Sequence, residues 1–208
     1  YELSYNDNVN AGVVEVTIKG KGSYEGSTKK VYFAIDQANV TAGSLKTAKT
    51  SVTVNPNNNS DPALYKDAIG AQVKTKLNKK DVILEEGKDY TVKYYYAKTA
   101  GLDTEDKIKA DAGTNNVGNY VYVVATPVKG GNYKFASSET GDLIASVSIA
   151  KKSISDVTVT VEKEAYTFTG EEIIPNVTVK DGSSVLERGV DYTVKVKDNV
   201  DVGTATVT

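Results

Sequence analysis

The chain has 208 residues, with 25 lysines and arginines against 27 aspartates and glutamates, and its formal net charge at pH 7 is −2. A charge so close to neutral provides neither the basic field that attracts nucleic acid nor a polybasic membrane patch, so we predict neither partner. Histidine and cysteine are absent. The chain thus lacks the commonest general base at neutral pH and the usual transition-metal ligands, and we predict a non-catalytic protein with no metal and no cofactor.

Composition also bears on where the protein works. Without cysteine or methionine, the chain needs no reducing compartment and resists oxidation, which favours an extracellular protein, secreted or attached to a cell wall. No apolar run reaches the ~20 residues of a membrane helix, so we predict no membrane insertion. The sequence starts without Met and shows no signal peptide, and we therefore expect a middle piece of a longer polypeptide.

The N-terminal region predicts β-strands. Val14, Val16 and Ile18 alternate with polar residues, which is the period of a strand with one buried and one wet face. A turn signal, Asn-Asp-Asn at residues 6–8, precedes this strand, and the same alternation returns at residues 157–161. The pattern favours an all-β fold of antiparallel strands.

Segments of the chain repeat one another in a fixed order. The matching pairs are residues 1–17 with 192–208, residues 20–24 with 130–133, residues 49–54 with 156–161, and residues 86–93 with 188–195. In the last pair, EGKDYTVK and RGVDYTVK share six of eight positions. We therefore expect part of a module at residues 1–36, a whole module at residues 37–151 and part of a further module at residues 152–208.

The end regions carry a resemblance to a known family. Tyr166-Thr-Phe-Thr-Gly170, Gly189-Val-Asp-Tyr-Thr-Val194 and Gly203-Thr-Ala-Thr-Val-Thr208, continued by Gly20-Lys-Gly-Ser-Tyr24, resemble the bacterial immunoglobulin-like (Big-type) repeats of Gram-positive surface proteins. The resemblance implies tandem antiparallel Ig-like β-sandwich modules that act as spacers or adhesive arms, or as connectors beside carbohydrate-binding domains. It implies that the neighbouring domains of the same polypeptide are the partners. The middle module departs from the pattern by lengthening two loops.

A run of tyrosines marks the middle module. The two-residue period of a strand places Tyr94 and Tyr96 on one face with Tyr90, and Tyr95 on the other. We expect the face with Tyr95 to be exposed to solvent.

Tyr120 and Tyr122, on the following strand, extend this pattern. A register anchored on Tyr133 turns both rings outward, where they join Tyr95 in an exposed aromatic strip on which a sugar could stack. A register anchored on Gly118 turns both rings inward. Cross-strand packing is the simpler interpretation of the same residues.

Residues 97–117 form an insertion where the other modules have a tight turn. Insertions at loop tips commonly carry function, but added loop length costs little, so simple decoration is the competing interpretation. Residues 104–110 predict one or two helical turns, capped by Asp103 or Thr104. The acidic candidates for ligand binding in the insertion are Asp103, Glu105 and Asp106.

Calcium is the cation that these side chains would suit, since it prefers oxygen ligands. A second oxygen-rich stretch lies at residues 55–61. Neither stretch has the spacing of a calcium-binding loop, and lysines are interleaved with the acidic residues of the insertion. We therefore predict solvated loops rather than a metal site.

The leading prediction is a structural repeat that spaces or presents other domains of a bacterial surface or secreted protein. The short polar junctions at residues 36–39 and 150–153 predict that neighbouring modules meet end to end with limited freedom. The alternative is an adhesin-type module that binds a glycan or a host surface protein through Tyr95, Tyr120, Tyr122 and residues 97–117.

The incomplete end modules lead to one more expectation. Partial modules at residues 1–36 and 152–208 would leave strand edges unpaired, and such edges invite pairing with another strand. We expect either edge-strand self-association of these segments, within or between chains, or an effect of where the sequence was cut.

Overall fold

The computed structural model of the chain describes residues 1–55, 60–136 and 141–208. These residues form two compact units, Tyr1–Lys151 and Lys152–Thr208. Strands dominate both units and the described helices are short, which confirms the predicted all-β class.

The first unit opens with an antiparallel sheet, here called the first sheet. Its strands are β1 (Glu2–Tyr5), β2 (Gly12–Lys19) and β3 (Thr28–Ile35), in the order β1-β2-β3. A 3-10 turn, Gly22–Tyr24, lies between β2 and β3. The predicted alternation is confirmed, because Val14 and Val16 are buried whereas Val13 is 69% exposed.

Residues 38–150 contain the main core and further strands. They are β4 (Ala38–Thr41), β5 (Leu45–Lys46), β6 (Ser51–Thr53), β7 (Gln72–Leu77), β8 (Lys80–Ile83), β9 (Tyr90–Ala97), β10 (Tyr120–Pro127), β11 (Tyr133–Ala136) and β12 (Leu143–Ala150). A 3-10 turn (Pro62–Tyr65) leads into α1 (Lys66–Ile69), and α2 (Glu105–Ala110) lies between β9 and β10.

These strands form a central sheet in the order β6-β12-β10-β9, a sheet β5-β7-β8 and a pair β11-β4. Most of the ladders are antiparallel, as predicted, but β6 pairs with β12 and β4 pairs with β11 in parallel. The chain between residues 38 and 53 thus divides its hydrogen bonds among different sheets.

One face of the central sheet packs into the main hydrophobic core. Tyr90 and Tyr96 of β9 are buried in this core and Tyr94 packs against it, so their predicted common face is confirmed. The opposite layer comes from residues 40–84. Its buried members are Val40, Leu45, Val52, Tyr65, Ile69, Val73 and Leu84.

The second unit is smaller and more open. It contains a 3-10 turn (Ile154–Asp156), β13 (Thr158–Val161), β14 (Val177–Asp181), β15 (Ser184–Val185), β16 (Val196–Lys197) and β17 (Thr206–Val207). The sheet orders are β13-β14-β15 and β16-β17. Val179 is 5% exposed, whereas Phe168 is 56% and Ile174 is 59% exposed.

The two similar segments at residues 85–90 and 187–192 fold into the same turn. In each, the glycine N–H donates to the tyrosine carbonyl at 2.7 Å, and the aspartate carboxylate accepts the N–H of the first glutamate, at 2.9 Å in one turn and 2.8 Å in the other. Gly87 and Gly189 have φ of 88° and 90°, a left-handed conformation that glycine adopts without strain. The matching residues therefore specify matching backbone.

The hairpins at residues 1–17 and 192–208 also agree in register. Tyr5 pairs with Val16 in the first hairpin, and Val196 pairs with Val207 in the second. Both pairings follow the gapless alignment of the two segments.

The similarity between residues 49–54 and 156–161 does not extend to their place in the sheets. Val52 pairs in parallel with Ile149, whereas Val159 pairs antiparallel with Val179. An alternating Thr/Val strand fits many sheet edges, so its partner is decided by tertiary context rather than by its own pattern.

Candidate functional site

The candidate residues meet on the face of the central sheet that turns away from the main core, here called the outer face. Tyr95 of β9 lies directly beside Tyr122 of β10. The register that turns Tyr120 and Tyr122 to the same face as Tyr95 is therefore correct. The prediction that these rings form an exposed aromatic strip is wrong, because Tyr122 is 1% exposed. The insertion at residues 97–117 folds over this face and forms a second hydrophobic cluster, with Ile108 fully buried and Tyr120 packed at its margin.

Helix α2 carries the insertion onto the sheet. The predicted helix and cap are confirmed, since α2 begins after Thr104, whose Oγ1 accepts the N–H of Lys107 at 3.3 Å. A helix of this length is unstable by itself in water. Burial of Ile108 against the outer face supplies the stabilisation that α2 lacks.

A carboxylate joins α2 to the sheet. Glu105 Oε1 accepts a hydrogen bond of 2.5 Å from the Tyr95 hydroxyl and lies 2.7 Å from Lys109 Nζ and 3.3 Å from Lys93 Nζ. The Glu105 side chain is 15% exposed. Lys109 Nζ also lies 5.7 Å from the centre of the Tyr95 ring, within the range of a cation–π contact. We call these four residues the Glu105 clasp.

The clasp shifts the titration of two of its members. The hydrogen bond from Lys109, followed by that from Tyr95, lowers the pKa of Glu105 from its ordinary value of 4.5 to about 2. Burial, reinforced by the hydrogen bond to Glu105, raises the pKa of Tyr95 to about 12. Both shifts favour the charge states that hold the clasp together at neutral pH.

Tyr122 anchors the backbone of the insertion. Its hydroxyl donates to the carbonyl of Thr99 at 2.9 Å and accepts the N–H of Leu102 at 3.0 Å. The carboxylate of Asp111 accepts the N–H groups of Lys98 at 2.9 Å and Thr99 at 2.7 Å. Tyr122 thus ties the first part of the insertion to β10, and Asp111 ties the later part of the insertion to the first part.

The segment of the insertion that follows α2 approaches the central sheet closely at Gly113. Its N–H donates to the carbonyl of Tyr96 at 2.9 Å, and a Cβ at this position would lie 2.6 Å from the carbonyl carbon of Ala97. The sequence pattern does not predict this contact. The only signal was a glycine inside the insertion.

A buried polar network extends from the insertion into the main core. The Tyr65 hydroxyl donates to Asn115 Oδ1 at 2.6 Å and accepts the N–H of Asn55 at 2.9 Å. Asn115 Nδ2 closes the network by donating to the carbonyl of Asn55 at 2.7 Å. No sequence pattern links these three residues, and Asn115 lies 50 residues beyond Tyr65 along the chain.

The acidic candidates do not converge on a common point. Asp103 is exposed and pairs with Lys107 at 2.8 Å, Asp106 is exposed, and Glu105 is held by the clasp. Across the described ranges, no group of three or more Asp and Glu side chains is placed to hold a metal ion. Residues 56–59 of the second oxygen-rich stretch lie outside the described residues.

Comparisons with known proteins add no family to these observations. No protein-family model, no curated protein and no solved structure matches the chain significantly. The resemblance to bacterial immunoglobulin-like repeats therefore stays a prediction. In the part of the chain that the structure describes, no helix is both long and apolar enough to span a bilayer.

Proposed function

We propose that the chain is a non-catalytic structural repeat that spaces or presents neighbouring domains of an extracellular bacterial protein, of the immunoglobulin-like kind that its sequence resembles. The observation that carries the proposal is the joint between the first sheet and the residues that follow it. A spacer transmits position only if its joints resist bending.

The joint is built from neutral hydrogen bonds centred on Asn132. Its Oδ1 accepts the N–H of Ala11 at 2.7 Å, and its Nδ2 donates to Asn10 Oδ1 at 2.9 Å. The Asn132 carbonyl accepts the N–H of Ala38 at 2.9 Å, and Gln37 Nε2 donates to the carbonyl of Gly131 at 2.7 Å. The turn after β1 and the connection after β3 are thus both tied to the turn before β11.

These contacts suit a stiff connection. Bonds at both the turn and the connection restrain rotation, whereas a bare linker of similar length would leave its neighbours free to reorient. None of the side-chain atoms in the joint is charged, so its strength depends little on salt.

The insertion supports the same proposal. Its helix packs Ile108 on the central sheet, its Glu105 carboxylate accepts a hydrogen bond from Tyr95, and its Gly113 N–H donates to the carbonyl of Tyr96, so the insertion adds thickness to the module. The adhesin-type alternative has weaker support, because none of Tyr95, Tyr120 and Tyr122 is fully exposed.

Joint stiffness can be measured directly. Because the chain contains no cysteine, spin labels can be attached at cysteines replacing Val13 in β2 and Ile83 in β8, which are 69% and 61% exposed. Double electron–electron resonance should give one narrow distance distribution. A broad distribution in this labelled chain would contradict the proposal.

Variants of the joint residues show whether the joint is what keeps the distance distribution narrow. Asn132→Ala combined with Gln37→Ala should broaden the distance distribution, since the side-chain hydrogen bonds of both residues are lost. Lys129→Ala removes an exposed side chain near the same turn and should leave the distribution unchanged.

A further inference from the structure

One edge of the central sheet is covered by β6 only in part. β6 pairs with β12 over residues 148–150, whereas β12 begins at Leu143. The chain before β6 turns away from this edge, because the N–H of Ala48 donates to the carbonyl of Ile69 at 2.7 Å. Among the described residues, the first half of β12 thus has no strand partner on this side.

Backbone polar groups of β12 point out of this open edge. The N–H of Ser148 donates to the carbonyl of Thr50 at 3.1 Å, so the backbone of Ser148 faces away from β10. In an antiparallel pair, the direction of these groups alternates along the strand, and Ile144 and Ser146 therefore point the same way as Ser148. A row of unpaired N–H and C=O groups at a sheet edge is a template for a further strand.

A cleft of about 270 Å³ lies along the open edge. It is lined by residues 142–146 one after another. Because successive side chains of a strand point to opposite faces, a cleft that reaches consecutive residues meets the strand at its edge. The facing walls are Ala42 and Gly43, which follow β4, and residues 101–103 of the insertion. The volume is below the range of about 300–1,000 Å³ of enclosed small-molecule pockets, so the cleft suits a ligand that lies along the strand and stays partly in solvent.

The cleft is acidic. Asp103 and Asp142 are among the described residues that line it, and these include no lysine or arginine. Asp142 is 6% exposed, and its Oδ1 accepts a hydrogen bond of 2.6 Å from the Thr126 hydroxyl, which fixes the carboxylate. Asp103 lies at the exposed margin, where it also pairs with Lys107. Solvent screens the buried charge of Asp142 only weakly, so the cleft favours a cationic group.

An extended peptide fits this cleft better than a sugar does. The ring of Tyr122 is 1% exposed, and its hydroxyl is already bonded to the carbonyl of Thr99 and the N–H of Leu102. The described lining residues therefore offer no exposed aromatic ring on which a sugar could stack. A peptide backbone, by contrast, can donate to and accept from the edge groups of Ile144 and Ser146.

We propose that the cleft binds an extended segment of a partner protein that carries a lysine or arginine side chain. The segment adds to β12 as a strand, in line with β6 along the same edge. Its basic side chain packs its alkyl part on Leu102 and Ile144 and places its charge beside Asp142. This inference goes beyond the spacer proposal and does not rest on it.

NMR titration of the full chain with two peptides tests the proposal. The peptides are Thr-Val-Lys-Val-Thr and Thr-Val-Glu-Val-Thr, both acetylated and amidated so that only the central side chain is charged. The lysine peptide should shift the backbone amide signals of Ile144 and Ser146 to saturation, and the glutamate peptide should bind at least about tenfold more weakly, because like charges repel. A lysine peptide that leaves these amides unshifted, or equal affinity for the two peptides, would overturn the proposal.

A pair of variants at one position tests the role of the edge. Ser146→Pro removes an N–H that points out of the open edge and none that pairs with β10, so the sheet should persist while the lysine peptide no longer binds. Ser146→Ala keeps the N–H and should bind the peptide like the unaltered chain. The amide spectrum checks that each variant folds, and binding that survives in folded Ser146→Pro would contradict strand addition.

Asp142→Asn tests the role of charge independently of the edge. Its amide oxygen can still accept the Thr126 hydroxyl, so the local structure is kept while the buried charge is lost. Affinity for the lysine peptide should fall by about tenfold, and the preference over the glutamate peptide should shrink. An unchanged preference in Asp142→Asn would overturn the assignment of the cleft to a basic segment.

Discussion

The Tyr95 hydroxyl donates a 2.5 Å hydrogen bond to the carboxylate of Glu105, and this bond links the central sheet to the helix of the insertion. Tyr95 and Glu105 were both candidate ligand-binding residues. Their contact indicates a structural role, because the hydroxyl of Tyr95 and the carboxylate of Glu105 are hydrogen-bonded to each other. The insertion thus packs over Tyr95 and Tyr122 on the outer face.

Glu105→Gln should destabilise the first unit by about 1–2 kcal/mol, because it removes the charge that Lys93 and Lys109 share and weakens the bond from Tyr95. Chemical denaturation followed by tyrosine fluorescence measures the change. Asp106→Asn is the matched control, since Asp106 is exposed on the same helix, and it should have little effect. Equal effects of the two substitutions would argue against the clasp.

The low pKa of Glu105 makes the clasp sensitive to acid. Its folded pKa of about 2 lies below its ordinary 4.5, so the stability that it contributes is complete above about pH 4.5 and is lost as the pH falls towards 2. Stability measured across this interval should fall less steeply in Glu105→Gln than in the unaltered chain. Parallel curves would contradict the assigned shift.

The tyrosines of β9 should limit stability in alkali. Burial raises the pKa of Tyr94, Tyr95 and Tyr96 from 10.0 to about 12, so the folded state holds these protons more tightly than the unfolded chain. The stability that these three tyrosines contribute should therefore be constant below about pH 10 and decline between pH 10 and 12. The difference in tyrosinate absorbance between the unaltered chain and Tyr94→Phe should develop only as the chain unfolds, and a difference that develops near pH 10 in the folded chain would contradict the prediction.

Gly113→Ala should destabilise the first unit by about 1–3 kcal/mol, because the added Cβ meets the backbone of Ala97 and backbone cannot rotate away as a side chain does. Thermal unfolding and hydrogen exchange of the insertion measure the effect. Gly203→Ala is the control, since a Cβ there meets no atom within 4 Å. It should be neutral or slightly stabilising.

Tyr65→Phe should cost about 1–3 kcal/mol, since it removes the hydroxyl that joins Asn55 and Asn115 inside the core. A double-mutant cycle with Asn115→Ala should show strong coupling, because both residues belong to one network. Additive effects would exclude that coupling. Tyr24→Phe, at a ring that is 74% exposed, should leave stability unchanged.

Local patterns in the sequence determined several features by themselves. The period of two placed Tyr94 and Tyr96 on the core face and Tyr95 on the other, because a strand turns successive side chains to opposite sides. A short helix over residues 104–110 with a cap at Asp103 or Thr104 followed from neighbouring residues alone, and the structure has it at Glu105–Ala110 with Thr104 as the cap. The shared turn at residues 85–90 and 187–192 depends on a glycine and an aspartate within the turn itself.

Only the tertiary structure decided whether the outer face is wet or covered. Tyr122 points outward as one register predicts, yet it is buried because the insertion returns across the sheet and packs Ile108 on it. Likewise, β6 and β13 have similar sequences but join different partners. Alternation of side chains specifies which way a residue points from its strand, whereas what it meets depends on contacts between segments distant in sequence, and these contacts leave no local pattern.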